Sequence, residues 1–466
     1  MKLSDPYNIS DLKPRTTILA VGFAIIFGLL MTRLWYLQIW KGEEYREFSD
    51  RNRFKIKRLS APRGKILDRN GRLLADNRPR FDVNFTRGYS MDSDLELDVL
   101  RDIFHWTPEG LEEQKKAIKS SALYQSTPIA RDVTWSQLAK IENRSLELSG
   151  VDIEVVAVRD YLYGDAFFHV IGYTGEVNEQ DLKRLSKRYP ERNYRIGDQI
   201  GVIGAESLLE GQLRGKDGKE FVVVDVRGRP VQQSGLNLLG KDTRIEPFAG
   251  KTVQLTLDLE LQLEAIRAFG NQVGAAVALD PKTGEILAMV SRPAIDANIF
   301  TKEISAKQLA ALRNRPNKPF LDRTLAEHYP PGSTFKLVMA TAALETGVVK
   351  PTTIINCPGT FRIGRRVWHD HRRSGFGPLM IRDAVKRSSN VFFFNIGTML
   401  GLDNMYHWSK RFGLGRRTHL GHEVFEDQGR LQHLRRFNFE QSGFIPDSQW
   451  VQQVGNTTVE AETVNA

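Results

Sequence analysis

YPPGSTFKLVMA, residues Tyr329 to Ala340, is the stretch on which the reading of this 466-residue chain turns. Pro330-Pro331-Gly332 breaks whatever precedes it, and TFKLVMATAALE after it reads as a helix. Ser333 then falls at or just inside the helix N-terminus, and Lys336 lies one turn later on the same face. A serine hydroxyl is a weak nucleophile until a neighbouring base takes its proton. A lysine serves as that base when burial and nearby positive charge hold it neutral. The helix N-terminus adds partial positive potential and free N–H groups for a developing oxyanion. Alone, Ser-x-x-Lys equally describes a capping serine beside a solvated lysine, so its weight comes from context.

Downstream, Ser388-Ser389-Asn390 supplies a second hydroxyl and an amide. RDAVKRS before it reads as a helix end and VFFFNIGTMLG after it as another helix, so the triplet sits in a short inter-helix loop. There Ser388 is placed to relay a proton to a leaving group, and Asn390 to hold Lys336 or a substrate amide. An isolated Ser-x-Asn is otherwise an ordinary helix cap. Together the two motifs make Ser333, Lys336, Ser388 and Asn390 the candidate catalytic set.

At the other end, residues 18 to 32 read ILAVGFAIIFGLLMT without a charge, and RLWYLQIW extends the apolar stretch to Trp40. That length suits a bilayer span. Arg33 can snorkel to the headgroups, and Trp35, Tyr36 and Trp40 suit the interfacial belt. A cleaved signal peptide would need a small-residue cleavage site, which RLWYLQ does not provide. Lys2, Lys13 and Arg15 precede the span, whereas Lys41 and Arg46 after it are offset by Glu43 and Glu44. The basic residues place the N-terminus in the cytoplasm and everything after residue 40 outside.

The rest divides near residue 250. Asp68-Arg69-Asn70-Gly71 between Ile66-Leu67 and Leu73-Leu74 predicts a hairpin, and residues 80–86 a further strand. Residues 95–150 have helical spacing, and 151–158 and 221–226 read as strands, the latter followed by a turn at Arg227-Gly228-Arg229. AESLLEGQL, from residue 205, reads as one short helix. After 250, residues 251–258 predict a strand, LELQLEAIRAFG a helix, and residues 275–291 two strands around a turn at Pro281 to Gly284. The expected domains are a cytoplasmic tail (1–17), a transmembrane helix (18–40), a β-rich α+β pedestal (41–245) and an α/β domain (250–466).

Composition agrees with a folded chain: 41% hydrophobic and 26% charged residues. The net charge of +10 favours anionic surroundings such as lipid headgroups or a polyanionic wall polymer. No zinc-finger spacing, aromatic RNA-binding signature or basic heptad run accompanies it, so nucleic acid is not an expected partner. The lone cysteine, Cys357, rules out an internal disulfide.

These motifs, taken as a set, resemble the class B penicillin-binding proteins, the elongation-type members most of all. The resemblance is carried by RLWYLQ (Arg33–Gln38), APRGKILDRNGRLLADN (Ala61–Asn77), GDQIGVIGAE (Gly197–Glu206), LTLDLELQ (Leu255–Gln262), DPKTGEILAMVSRP (Asp280–Pro293), YPPGSTFK and SSN. It implies a pedestal, or dimerisation domain, and a serine β-lactamase-like transpeptidase domain. It implies acylation of Ser333 by the D-Ala-D-Ala end of a peptidoglycan stem and transfer to an amine on a neighbouring stem. It further implies inhibition by β-lactams, partnership with a RodA-type membrane glycosyltransferase, location at the bacterial inner membrane facing the periplasm, a role in cell shape, and no required cofactor.

Two departures follow. The family's third motif, Lys-Thr/Ser-Gly, is expected downstream of Asn390, yet Lys282-Thr283-Gly284 precedes Ser333 and reads as a hairpin turn. From about residue 416 to Ala466 the chain drifts from the family, with Val454-Gly455-Asn456 in place of a Gly-Gln-Gly-like turn. The expectation is a truncated or diverged C-terminal part, and with it an alternative: a catalytically impaired scaffold that binds or activates the glycosyltransferase. Some relatives are expected to bind zinc near Cys357, His369, Asp370 and His371, but Phe376 and Ser389 stand where a ligand would be needed. The competing reading of those residues is an exposed polar loop. A membrane-bound β-lactamase is disfavoured by the long pedestal.

Overall fold

The computed structural model describes residues 9–41, 54–223, 244–302, 304–418, 420 and 443–448. The expected turn at Arg227-Gly228-Arg229 and the Val454-Gly455-Asn456 segment lie outside the described residues. So does most of the stretch after 416.

Helix Ile9–Trp35 continues as a π-turn over Tyr36–Trp40. Its segment Ile18–Trp40 is 23 residues long and apolar enough to cross a membrane. Within it, Thr32 Oγ1 donates back to the Gly28 carbonyl at 2.8 Å, which satisfies its hydroxyl inside the helix. The Arg33 guanidinium lies over the Tyr36 ring.

The chain folds as two compact units that are interleaved in sequence. One comprises 1–64, 77–158 and 214–251, the other 65–76, 159–213 and 252–466. In the first, Phe54–Leu59, Gly218–Val223 and Arg244–Ile245 form an antiparallel sheet. Arg58 Nε donates to Asp217 at 2.7 Å, joining the ends of the first two strands. Three helices follow from their caps: Asp92 before Ser93–Phe104, Thr107 with a proline at the first position before Pro108–Ser120, and a Thr134–Gln137 capping box before Trp135–Glu142. Their apolar faces enclose Val83, Phe85, Leu97, Leu100 and Ile118. The helical expectation for residues 95–150 holds for these three helices, while residues 121–134, with a short strand Thr127–Ala130, and 143–150 are not helical.

In the second unit the Asn-Gly hairpin is present, with Ile66 opposite Ala75. Asp68 is buried because its carboxylate accepts Asn70 N and Arg72 N, both at 2.8 Å, and closes the turn. The strand predicted for 80–86 is instead the end of one long strand, Leu73–Phe85, and the strand predicted for 251–258 shrinks to Val253–Gln254, parallel to Ile66–Leu67. The single helix expected from residue 205 is two short ones, Gly204–Leu208 and Glu210–Leu213. Gly172 and Gly204 explain the glycines here: both have positive φ, and a Cβ on Gly172 would lie 1.9 Å from the Ile203 carbonyl oxygen.

One core of this unit gathers Ile66, Leu74, Phe168, Ile171, Leu213, Leu257, Leu259 and Phe320. Fully buried Gln262 pairs its amide with Ala166 O, Met289 O and Met289 N, tying helix Leu259–Phe269 to strand Ile286–Arg292. That strand pairs antiparallel with Gly274–Leu279, and Lys282-Thr283-Gly284 forms their turn, with Lys282 N on Asp280 Oδ1. A second core packs helix Phe335–Glu345 against helix Asn390–Arg411 through Met339, Ala342, Ala343, Val391, Phe392 and Ile396.

Candidate active site

Gly332 adopts φ of 55°, a conformation that disfavours any residue with a Cβ, and turns the chain into a 3-10 turn, Gly332–Thr334. Helix Phe335–Glu345 follows at once. Its buried side, Val338, Met339, Ala342 and Ala343, anchors it, leaving Ser333 exposed and Lys336 half-buried. In the loop leading to Ser333, the exposed Tyr329 donates its hydroxyl to Glu327 Oε2 at 2.7 Å.

Ser388 and Ser389 lie between helices Ile381–Arg387 and Asn390–Arg411, and Asn390 is the first residue of the second. Ser388 is left-handed, with φ 53° and ψ 41°. That turn aims its hydroxyl and its carbonyl at Lys336. Lys336 Nζ donates to Ser388 O at 2.8 Å, to Ser388 Oγ at 3.1 Å and to Asn390 Oδ1 at 2.6 Å. Ser388 Oγ lies 3.0 Å from Ser333 Oγ. All four predicted residues therefore meet in one hydrogen-bonded chain, Ser333–Ser388–Lys336–Asn390.

This arrangement has two protonation states. As an ammonium, Lys336 has three donors for three acceptors, and the Ser388 hydroxyl points to Ser333. As a neutral amine it has two donors and one lone pair; Ser388 O–H then points to Lys336, and Ser333 O–H to Ser388. Moving from the second state to the first takes the proton off Ser333. Burial pushes the Lys336 pKa below the ordinary 10.5, and the Asp370 charge opposes that shift. The nearby positive charge expected from the sequence is replaced by burial acting against a negative neighbour. The Phe393 ring, 5.9 Å from Nζ, covers one side of the amine.

Asp370, read from the sequence only as a potential zinc ligand, has a contact with the Ser389–Asn390 turn that sequence reasoning missed. It is buried, and its carboxylate accepts Ser389 Oγ at 2.8 Å and Asn390 N at 2.5 Å. The polar-loop reading of this region is thus replaced by strands Thr360–Ile363 and Arg366–His369 that end on a buried acid. The available signal was an acid directly after an alternating strand sequence, Arg366 to His369.

The chain matches the model of the penicillin-binding protein dimerisation domain over residues 58–255 and that of the penicillin-binding protein transpeptidase domain over residues 274–444. A Salmonella typhimurium relative, peptidoglycan D,D-transpeptidase MrdA, is 33% identical over 447 residues, covering 94% of this chain and 67% of the relative. The chain belongs to the PBP2-type penicillin-binding proteins. The MrdA of Acinetobacter baumannii is 34% identical over 402 residues, 86% of this penicillin-binding protein and 58% of that one. The chain thus spans about three-fifths to two-thirds of the length of these curated relatives. A solved peptidoglycan synthase complex, described as coordinating polymerization and crosslinking, contains a chain 29% identical with a TM-score of 0.62, covering 97% of this chain and 73% of that one. The Helicobacter pylori PBP2 bound to MreC, 23% identical with a TM-score of 0.72 and covering 89% and 74%, shares the fold.

The zinc candidates of this penicillin-binding protein do not form a donor set. Among the described residues no three His, Cys, Asp or Glu side chains gather to hold a metal. Asp370 spends its oxygens on Ser389 and Asn390. The Cys357 thiol is fully buried and directed to the Ile355 carbonyl. The His371 ring instead rests against Phe376.

Proposed function

We propose that this penicillin-binding protein is a serine-type D,D-transpeptidase that cross-links peptidoglycan stems through an acyl-enzyme on Ser333. The observation that carries the reading is the Ser333–Ser388–Lys336 relay, with 3.0 and 3.1 Å steps. Ser333 Oγ attacks the carbonyl carbon between the two D-alanines, and its proton passes through Ser388 to neutral Lys336. The C–N bond breaks, and the terminal D-alanine amine leaves with a proton returned through Ser388. An amine of a neighbouring stem then attacks the ester, giving up a proton to the relay as Ser333 regains its own.

In this proposal helix Ile18–Trp40 holds the chain as a single-pass protein in the inner membrane, with the residues after 40 on the periplasmic side. The role is wall elongation and cell shape, beside a RodA-type glycosyltransferase, and β-lactams acylate the same serine. The meeting of the four residues favours this reading over the impaired-scaffold alternative, which the displaced third motif motivates. The test is fluorescent penicillin on the detergent-solubilised full chain. Stable labelling lost in Ser333→Ala supports the reading, whereas an unlabelled, folded parent refutes it. Rapid penicillin turnover would instead mark a β-lactamase.

A further inference from the structure

Asn390 has to present its amide oxygen, not its nitrogen, to Lys336, and nothing in its own backbone enforces that. The neighbouring strand does. The His369 carbonyl accepts Asn390 Nδ2 at 3.3 Å, which leaves Oδ1 facing Lys336. The next residue, Asp370, accepts the Asn390 backbone N–H with one oxygen and the Ser389 hydroxyl with the other. Ser389 Oγ in turn accepts Phe392 N at 3.2 Å. The first turn of helix Asn390–Arg411 is therefore capped twice, by Ser389 and by a buried carboxylate where the helix dipole favours negative charge.

We infer that Asp370 is the positioning residue of this site, fixing the Ser388–Asn390 turn on Lys336 by direct hydrogen bonds and without a bound metal. The inference rests on the proposed acyl transfer. Ser389 is fully buried and donates to one Asp370 oxygen, while the other accepts the Asn390 backbone N–H. The groups around the pair are few. Lys336 comes from its helix, the Cys357 thiol from strand Ile355–Cys357, and the Phe393 ring from the long helix. His371 is turned onto Phe376, over which Arg372 and Arg387 also lie. Asp370 is thus the acid whose charge reaches Lys336.

The test measures acylation of the full chain by fluorescent penicillin across pH, with thermal unfolding alongside. Asp370→Asn keeps the size and one acceptor but loses the second hydrogen bond and the charge. It should lower the acylation rate on the order of 10- to 100-fold, as small misplacements of reacting groups do. Its rising pH limb should move to lower pH, because a charge that raises the Lys336 pKa is gone. Ser389→Ala breaks the clamp but keeps the charge, so the rate should fall with the limb in place; it also carries the test if Asp370→Asn does not fold. Chelator treatment should leave the parent rate unchanged. Folded variants that acylate like the parent, or a chelator-sensitive parent restored by zinc, would overturn the inference. An unlabelled parent would instead overturn the acyl-transfer reading beneath it.

Discussion

Replacing Ser388 by alanine and by glycine separates two things this residue does. Among the described residues it supplies the hydroxyl that bridges Ser333 and Lys336, and it holds a left-handed backbone. Either change removes the hydroxyl, while Lys336 keeps Ser388 O and Asn390 Oδ1 and so stays seated. Loss of a positioned proton carrier costs about 10²- to 10⁴-fold. That corresponds to roughly 3–5 kcal/mol in the acylation barrier. Stability should separate the two variants. A side chain at left-handed φ costs about 1–2 kcal/mol, and glycine returns roughly 0.5–1 kcal/mol of that through its more flexible unfolded chain. Ser388→Gly should therefore be about 0.5–1 kcal/mol more stable than Ser388→Ala, with equal loss of acylation. Stopped-flow acylation by a fluorescent penicillin and denaturant unfolding give the two numbers. Acylation within threefold of the parent in both variants would refute the relay. Glycine less stable than alanine would refute the strain argument.

Two further predictions concern the frame around the site. The Arg159–Glu206 ion pair is almost wholly buried, with 1% and 0% side-chain exposure. Arg159→Met should destabilise by about 3–5 kcal/mol, and adding Glu206→Leu should recover much of it, as read by denaturant unfolding. Burial pushes buried His169 below its ordinary 6.5, with Arg323 and Arg292 reinforcing and Asp322 opposing. Below pH 6.5 the unfolded chain then binds a proton that the folded chain refuses, so stability falls as pH drops through that value. His169→Leu should flatten this part of the stability–pH curve, and an unchanged slope would contradict the assignment.

The legible parts of the fold are those with strong local signals. Asn70-Gly71 and the Pro281–Gly284 turn fix their hairpins through backbone conformations few residues adopt, and the capped helices carry their start signals in sequence. The strand expected at 251–258 is regular only over Val253–Gln254, although single backbone bonds from Leu255 to Leu67 and from Arg69 to Leu257 continue along it. The site was legible as residue types and spacing, since Ser333 and Lys336 sit on successive helical turns and Ser388 and Asn390 at one junction between helices. What spacing could not convey is that Ser388 stands between nucleophile and amine. Asp370 was hidden for the same reason: its importance lies in what a neighbouring strand end touches across twenty residues.

The interleaving of the two units has a consequence for how such a gene can change. The core that carries Leu257, Leu259 and Phe320 also needs Ile66 and Leu74 from one early segment and Phe168, Ile171 and Leu213 from another. A single recombination crossover near codon 250 would join a late half to an early half whose side chains were never selected to fill it. Exchange between relatives is then tolerated only when the early segments travel with the late one, so exchanged blocks should straddle that codon.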